Sequence, residues 1–82
     1  MTEIEFLGQA MWLADHRGYK SSWSHVIFHQ RYGKWPSKKL LGNEILPTPP
    51  SDEFWDWLSE QWGADAALRV RDWLRVMWKS AA

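Results

Sequence analysis

The chain has no cysteine. That excludes a disulfide framework and any thiolate metal site, so 82 residues must hold together by packing alone. No apolar run approaches the ~18 residues a membrane span needs. The N-terminus, "MTEIEFLGQAMWLAD", begins acidic, lacks a basic leader and meets Asp15 before any long apolar run. A secretory signal is therefore not expected, and the sequence reads as a cytoplasmic protein. No segment alternates apolar and polar residues over a useful length, which argues against strands. The phosphate-binding patterns GxxxxGK[ST] and GxGxxG and the metalloprotease pattern HExxH are missing. There is no internal repeat and no low-complexity run.

What is present is tryptophan. Eight of the 82 residues are Trp, and large rings bury much area for few side-chain torsions, which suits a small core. The formal charge is zero but unevenly placed. Residues 1–14 carry net −2, residues 15–40 carry Asp15 against six cations for net +5, and residues 41–82 carry seven acids against four bases for net −3. Local field, not net charge, steers a partner.

Helical periodicity organises the chain. Thr2 with Glu5 has the capping-box spacing. Ile4, Leu7, Met11 and Ala14 form a stripe that Phe6, Ala10 and Leu13 widen. Gly18 is placed to end this helix in the left-handed conformation. Ser21 or Ser22 is expected to cap a second helix with Trp23, Val26, Ile27 and Gln30 on one side and Phe28 and Tyr32 on another. Gly33 closes it, because the residue before Pro36 is pushed extended. The stretch 37–50 contains Gly42 and three prolines, so a long helix is excluded. Its Leu40, Leu41, Ile45 and Leu46 are too apolar for a free linker and are expected to lie across the helices and seal the core. Ser51 is expected to cap a third helix, with Asp52 and Glu53 favoured by the dipole at its start. Phe54, Trp55, Trp57, Leu58 and Trp62 form its broad face; Asp56, Ser59 and Glu60 lie opposite. After Gly63 a fourth helix is expected over 65–79, with Ala66, Val70, Trp73, Leu74 and Met77 inward. The fold class is all-α: a single helical domain, 1–82, forming a small irregular bundle of about four helices with a Pro-rich connection.

Few residues are placed for chemistry. Asp56 and Glu60 share a helix face, but paired carboxylates catalyse only in a cleft that separates their pKa values; on a surface helix they are a solvated face. No catalytic residue is assigned, and the chain is not read as an enzyme. His25 and His29 are four apart, as two zinc ligands could be, with a third ligand owed by His16 or a carboxylate. The bland alternative is two partly exposed imidazoles beside Tyr32, and no metal or other cofactor is assigned.

The segment 18–37, "GYKSSWSHVIFHQRYGKWPS", carries two Trp, two Tyr, a Phe, two His and three of the cations with no acid. Cations neutralise phosphates and rings stack on unpaired bases. Lys20, Arg31, Lys34, Lys38 and Lys39 flank Tyr19, Trp23, Tyr32 and Trp35. Arg71, Arg75 and Lys79, spaced by four, would add a stripe on the last helix. Against this, most of the Trp must be core, and cations at helix C-termini suit the macrodipole without any ligand. Trp23, Ile27 and Trp35 are expected to lock the second helix and the WP turn onto the core. The surface residues expected to meet a partner are Lys20, Arg31, Lys34, Trp35, Lys38, Lys39, Arg71 and Arg75.

"GYKSSWSHVIFHQRYGKWP", followed by a Pro-rich spacer and "RDWLRVMWKS", resembles the short C-terminal extension of bacterial and phage DEAD/DEAH-type helicases. Gly18, Tyr19, Lys20, Trp23, Tyr32, Gly33, Trp35 and Pro36 carry the resemblance. Ser21 and Ser22 depart from it, where Pro and Gly would be expected, as does the acidic, Trp-dense third helix. It implies a free-standing relative of that module without the motor, since no helicase ATPase motif is present. Two readings follow. The first is a non-enzymatic accessory module that binds nucleic acid or a nucleic-acid-processing complex. The alternative is a small phage or mobile-element protein that docks on a host or phage protein, whose acidic surface would suit the same cations.

Overall fold

The structure, a computed structural model, describes residues 1–63, 65 and 68–72. Four helices are bounded: α1 (Glu3–Arg17), α2 (Trp23–Tyr32), α3 (Lys38–Leu41) and α4 (Asp52–Trp62). Asp65 and residues 68–72 are also helical, and no strand occurs among the described residues. The chain is all-α, as its periodicity requires. None of the described helices is long and apolar enough to cross a membrane. Chain packing divides the protein into two compact units, Met1–Ser51 and Asp52–Ala82.

In the first unit, α1 starts as the capping-box spacing dictates: the Glu5 amide donates to the Thr2 hydroxyl at 3.2 Å. It ends at Gly18 with φ +72°, where the Tyr19 amide returns to the Ala14 carbonyl at 2.9 Å. α2 ends the same way at Gly33, φ +71°. Its start differs from expectation. Ser22 occupies the cap position but is itself helical, and its side chain makes no capping bond; the His25 and Val26 amides instead reach its carbonyl.

α1 and α2 pack antiparallel, since the start of α1 meets the end of α2. Phe6 lies 6.4 Å from Phe28 and edge-on to Tyr32 at 5.6 Å, while Phe28 and Tyr32 are 4.7 Å apart. Phe6, Leu7, Ala10, Leu13 and Ala14 of α1 and Ile27 and Phe28 of α2 are buried. The inward face of α2 is turned one residue from the expected stripe. Ser24, Ile27 and Phe28 face in, Val26 and Gln30 face solvent, and Trp23 is half-buried against Tyr19 at 4.8 Å. Ser24 tolerates this burial because its hydroxyl donates to the Ser21 carbonyl at 3.0 Å. Ile4, expected in the core, is exposed. Trp12 takes core space instead and stacks on His16 at 3.8 Å.

The Pro-rich connection begins with one helical turn, α3, whose Leu40 amide donates to the Ser37 hydroxyl at 3.1 Å. The rest crosses α1, but it seals with backbone more than with side chains. Leu40 and Ile45 are half-buried, and Leu41 and Leu46 are exposed. The crossing is at Gly8. A Cβ there would lie 2.7 Å from the Leu46 carbonyl oxygen, and the Thr48 amide donates to the Gly8 carbonyl at 3.2 Å. One position on, the buried Gln9 amide oxygen accepts from the Ser51 amide at 2.8 Å and the Ser51 hydroxyl at 3.1 Å. A glycine and a buried amide thus fasten a segment that has few ladder donors of its own.

In the second unit α4 follows its expected amphipathicity. Phe54, Trp55 and Leu58 are buried, Trp57 and Trp62 are half-buried, and Asp56 and Glu60 are exposed. Gly63, φ +89°, interrupts the helix and its amide returns to the Ser59 carbonyl at 2.8 Å. Val70 is buried as expected. Ala66, Trp73, Leu74, Arg75, Met77 and Lys79 lie outside the described residues.

Candidate nucleic-acid interface

The eight residues expected to meet a partner differ in their settings. Arg31, on the last turn of α2, folds inward: its guanidinium lies 5.1 Å from the Phe6 ring and 5.6 Å from the Tyr32 ring. It covers the aromatic cluster as a cation–π lid. Lys34 is paired with Glu3, Nζ to Oε1 at 3.1 Å. This bond joins the α2 C-terminal turn to the acidic first turn of α1, as the antiparallel pairing of helix ends permits. In the second unit Arg71 donates to Asp52 at 2.5 Å, so its charge is matched within that unit. Arg75 lies outside the described residues. Lys20 is exposed but precedes α2, while Lys34 follows it. Ten helical residues, roughly 15 Å, separate them.

What remains together is the turn between α2 and α3. Lys34, Trp35, Lys38 and Lys39 are all exposed there. Trp35, expected to anchor the turn in the core, is 59% exposed. One face of its indole is backed by the His29 imidazole, with centroids 4.4 Å apart and planes inclined by 37°. The cause is the left-handed Gly33. It reverses the chain past the helix end and brings the following aromatic back over the last turn, as apolar residues after such caps commonly return. Pro36 then fixes the backbone, and Ser37 caps the turn that carries Lys38 and Lys39. His29 was legible in the sequence only as half of an i, i+4 pair. Its work as a backing ring follows from the Gly33 reversal. No acid occurs between Asp15 and Glu44, so a wholly basic stretch of chain surrounds this turn.

The paired histidines have different surroundings. His29 lies tilted against Trp35, whereas His25 lines a 270 Å³ cleft with Met11, Ala14, Asp15 and three serines. No group of three His, Asp or Glu among the described residues could hold a metal ion. Asp56 and Glu60 are both exposed on α4.

Comparison of the chain with protein-family models, with curated proteins and with solved structures finds no match.

Proposed function

We propose that this protein is a non-enzymatic accessory module that binds nucleic acid, alone or within a nucleic-acid-processing complex, through the α2–α3 turn. The observation that carries the reading is the pair Lys38 and Lys39. They are exposed, they have no ion-pair partner among the described residues, and they sit in the acid-free run between Asp15 and Glu44 beside an exposed indole. Two ammonium groups with no ion-pair partner among the described residues have charge to offer phosphates. The resemblance to helicase C-terminal extensions, carried by the same Gly33, Trp35 and Pro36, supports the reading; it makes the chain a helicase-associated module, phage-borne or bacterial, without a motor.

Retention of labelled oligonucleotides by the intact protein tests it. Binding at about micromolar or weaker affinity is expected near physiological salt, falling linearly in log–log form as salt rises. Lys38→Glu with Lys39→Glu should lower affinity at least tenfold and flatten the salt slope by about 1.4, the share of two phosphates on a single strand. Lys34 is left intact in this variant because it closes the Glu3 pair. A wild-type protein that retains no oligonucleotide in low-salt buffer overturns the proposal and leaves docking on another protein as the use of this surface.

A further inference from the structure

We propose that Trp35 is a stacking platform for an unpaired base, so that the nucleic acid bound is single-stranded, not duplex. This inference rests on the reading of the α2–α3 turn given above. Among the described residues, Trp12 and Trp55 are buried and Trp23, Trp57 and Trp62 are half-buried; Trp35 alone stands with most of its surface in solvent. A small domain that spends its other described indoles on packing leaves this one out, and does so without leaving it loose. His29 supports one face, the Gly33 cap sets the chain reversal, Pro36 stiffens the following bond, and Ser37 caps α3. A ring already held in place loses little freedom when a ligand stacks on its open face.

The neighbourhood selects what stacks. Lys34 precedes the ring, and Lys38 and Lys39 follow it within a single helical turn. Lysines close in sequence to an exposed indole match a strand whose phosphates and base faces alternate. An apolar or acidic protein segment satisfies the ring or the lysines, but lacks that alternation. Duplex DNA offers the phosphates, but its base faces are covered by their neighbours, so the indole gains nothing from it. Both single-stranded DNA and single-stranded RNA present the required chemistry.

Fluorescence anisotropy on the full chain decides the matter, with a short oligothymidylate, an oligouridylate and a hairpin duplex of equal length. The wild type should prefer either single strand to the hairpin, and the relative retention of the two strands identifies which backbone is favoured. Trp35→Ala should reduce single-strand affinity about tenfold, the usual loss for one stacked base, while leaving hairpin affinity and the salt slope unchanged because no charge is removed. Trp35→Phe should restore most of the loss. Photo-crosslinking of a 5-bromouracil-substituted strand should label the peptide containing Trp35. Equal affinity for strand and hairpin, or a Trp35→Ala protein that binds single strands like the wild type, overturns the platform while leaving the cationic reading in place. Absence of any retention by the wild type overturns that reading, and the platform with it.

Discussion

Gly8→Ala is the substitution whose sign separates tertiary packing from intrinsic propensity. Gly8 is buried in the middle of α1, and by propensity alone alanine there should stabilise by about 1 kcal/mol. The fold reverses that expectation. The new Cβ would stand 2.7 Å from the Leu46 carbonyl oxygen and 3.6 Å from the Ile45 Cγ2. The first of these is a backbone atom in a segment fastened just beyond it by the Thr48 and Ser51 bonds, so it cannot swing aside as a side chain would. Relief requires lifting residues 45–48 from α1, which costs the Thr48–Gly8 hydrogen bond at about 1 kcal/mol, plus an overpacking strain of about 1–3 kcal/mol. After the propensity gain is set against these, a net loss of about 1–3 kcal/mol remains. In a domain of this size each kcal/mol moves the melting temperature by about 4–8 °C. Thermal unfolding followed by far-UV circular dichroism reads the shift, and amide exchange reads its cause: Thr48 should lose protection in the variant. A melting temperature that stays level or rises would show that the connection does not press on α1, and the account of how it is fastened would fall.

Two further substitutions probe the first unit. Phe28→Ala removes a fully buried ring that touches both Phe6 and Tyr32 and should cost about 3–5 kcal/mol, whereas Trp23→Ala, half-buried, should cost only about 1–2 kcal/mol; equal losses in chemical denaturation would contradict the observed turn of α2. Gln9→Ala removes the acceptor of the Ser51 amide and hydroxyl and should lower the urea midpoint by the equivalent of about 1 kcal/mol; an unaltered midpoint would mean that this contact does not fasten the connection.

Features set by local rules were legible in the sequence. The Thr2 cap, the left-handed ends at Gly18 and Gly33, the amphipathic α4 and its stop at Gly63 all follow from residue type and spacing within a turn. Features set by a partner helix were not. α2 offers two apolar stripes one residue apart, and periodicity cannot choose between Trp23–Val26–Ile27 and Ile27–Phe28 when every member is apolar. The choice is made by the ring cluster with Phe6, a contact some twenty residues distant in sequence. The fate of Trp35 was hidden for the opposite reason. Composition assigns most of the indoles to the core, and only the observed burial reveals which of the described ones is left over. The role of Gly8 has no local signature, since a glycine inside an apolar helix pattern reads first as a weak helix former.

The same distinction explains the charges. Within residues 15–40 both arginines found aromatic faces, Arg17 on Tyr19 and Arg31 on Phe6 and Tyr32, while no lysine was drawn to a ring among the contacts described. A guanidinium is planar and weakly hydrated, so it trades water for a ring at little cost; an ammonium is compact and strongly hydrated and keeps its solvent. Summing cations along the segment therefore overstated the charge available to a partner, because Arg31 is half-buried over rings and Lys34 is paired with Glu3. The cations at the α2–α3 turn are all lysines, with Lys34 held by Glu3 and Lys38 and Lys39 left in water. Ammonium groups meet phosphates as point charges without the bidentate geometry by which arginine reads guanine or fixes a phosphate. Recognition built on two or three of them is sequence-independent, weak and strongly screened by salt. In the nucleic-acid reading proposed above, a single aromatic ring would then be a large fraction of the total binding free energy, and selectivity for unpaired bases would rest on Trp35, not on the lysines near it in sequence.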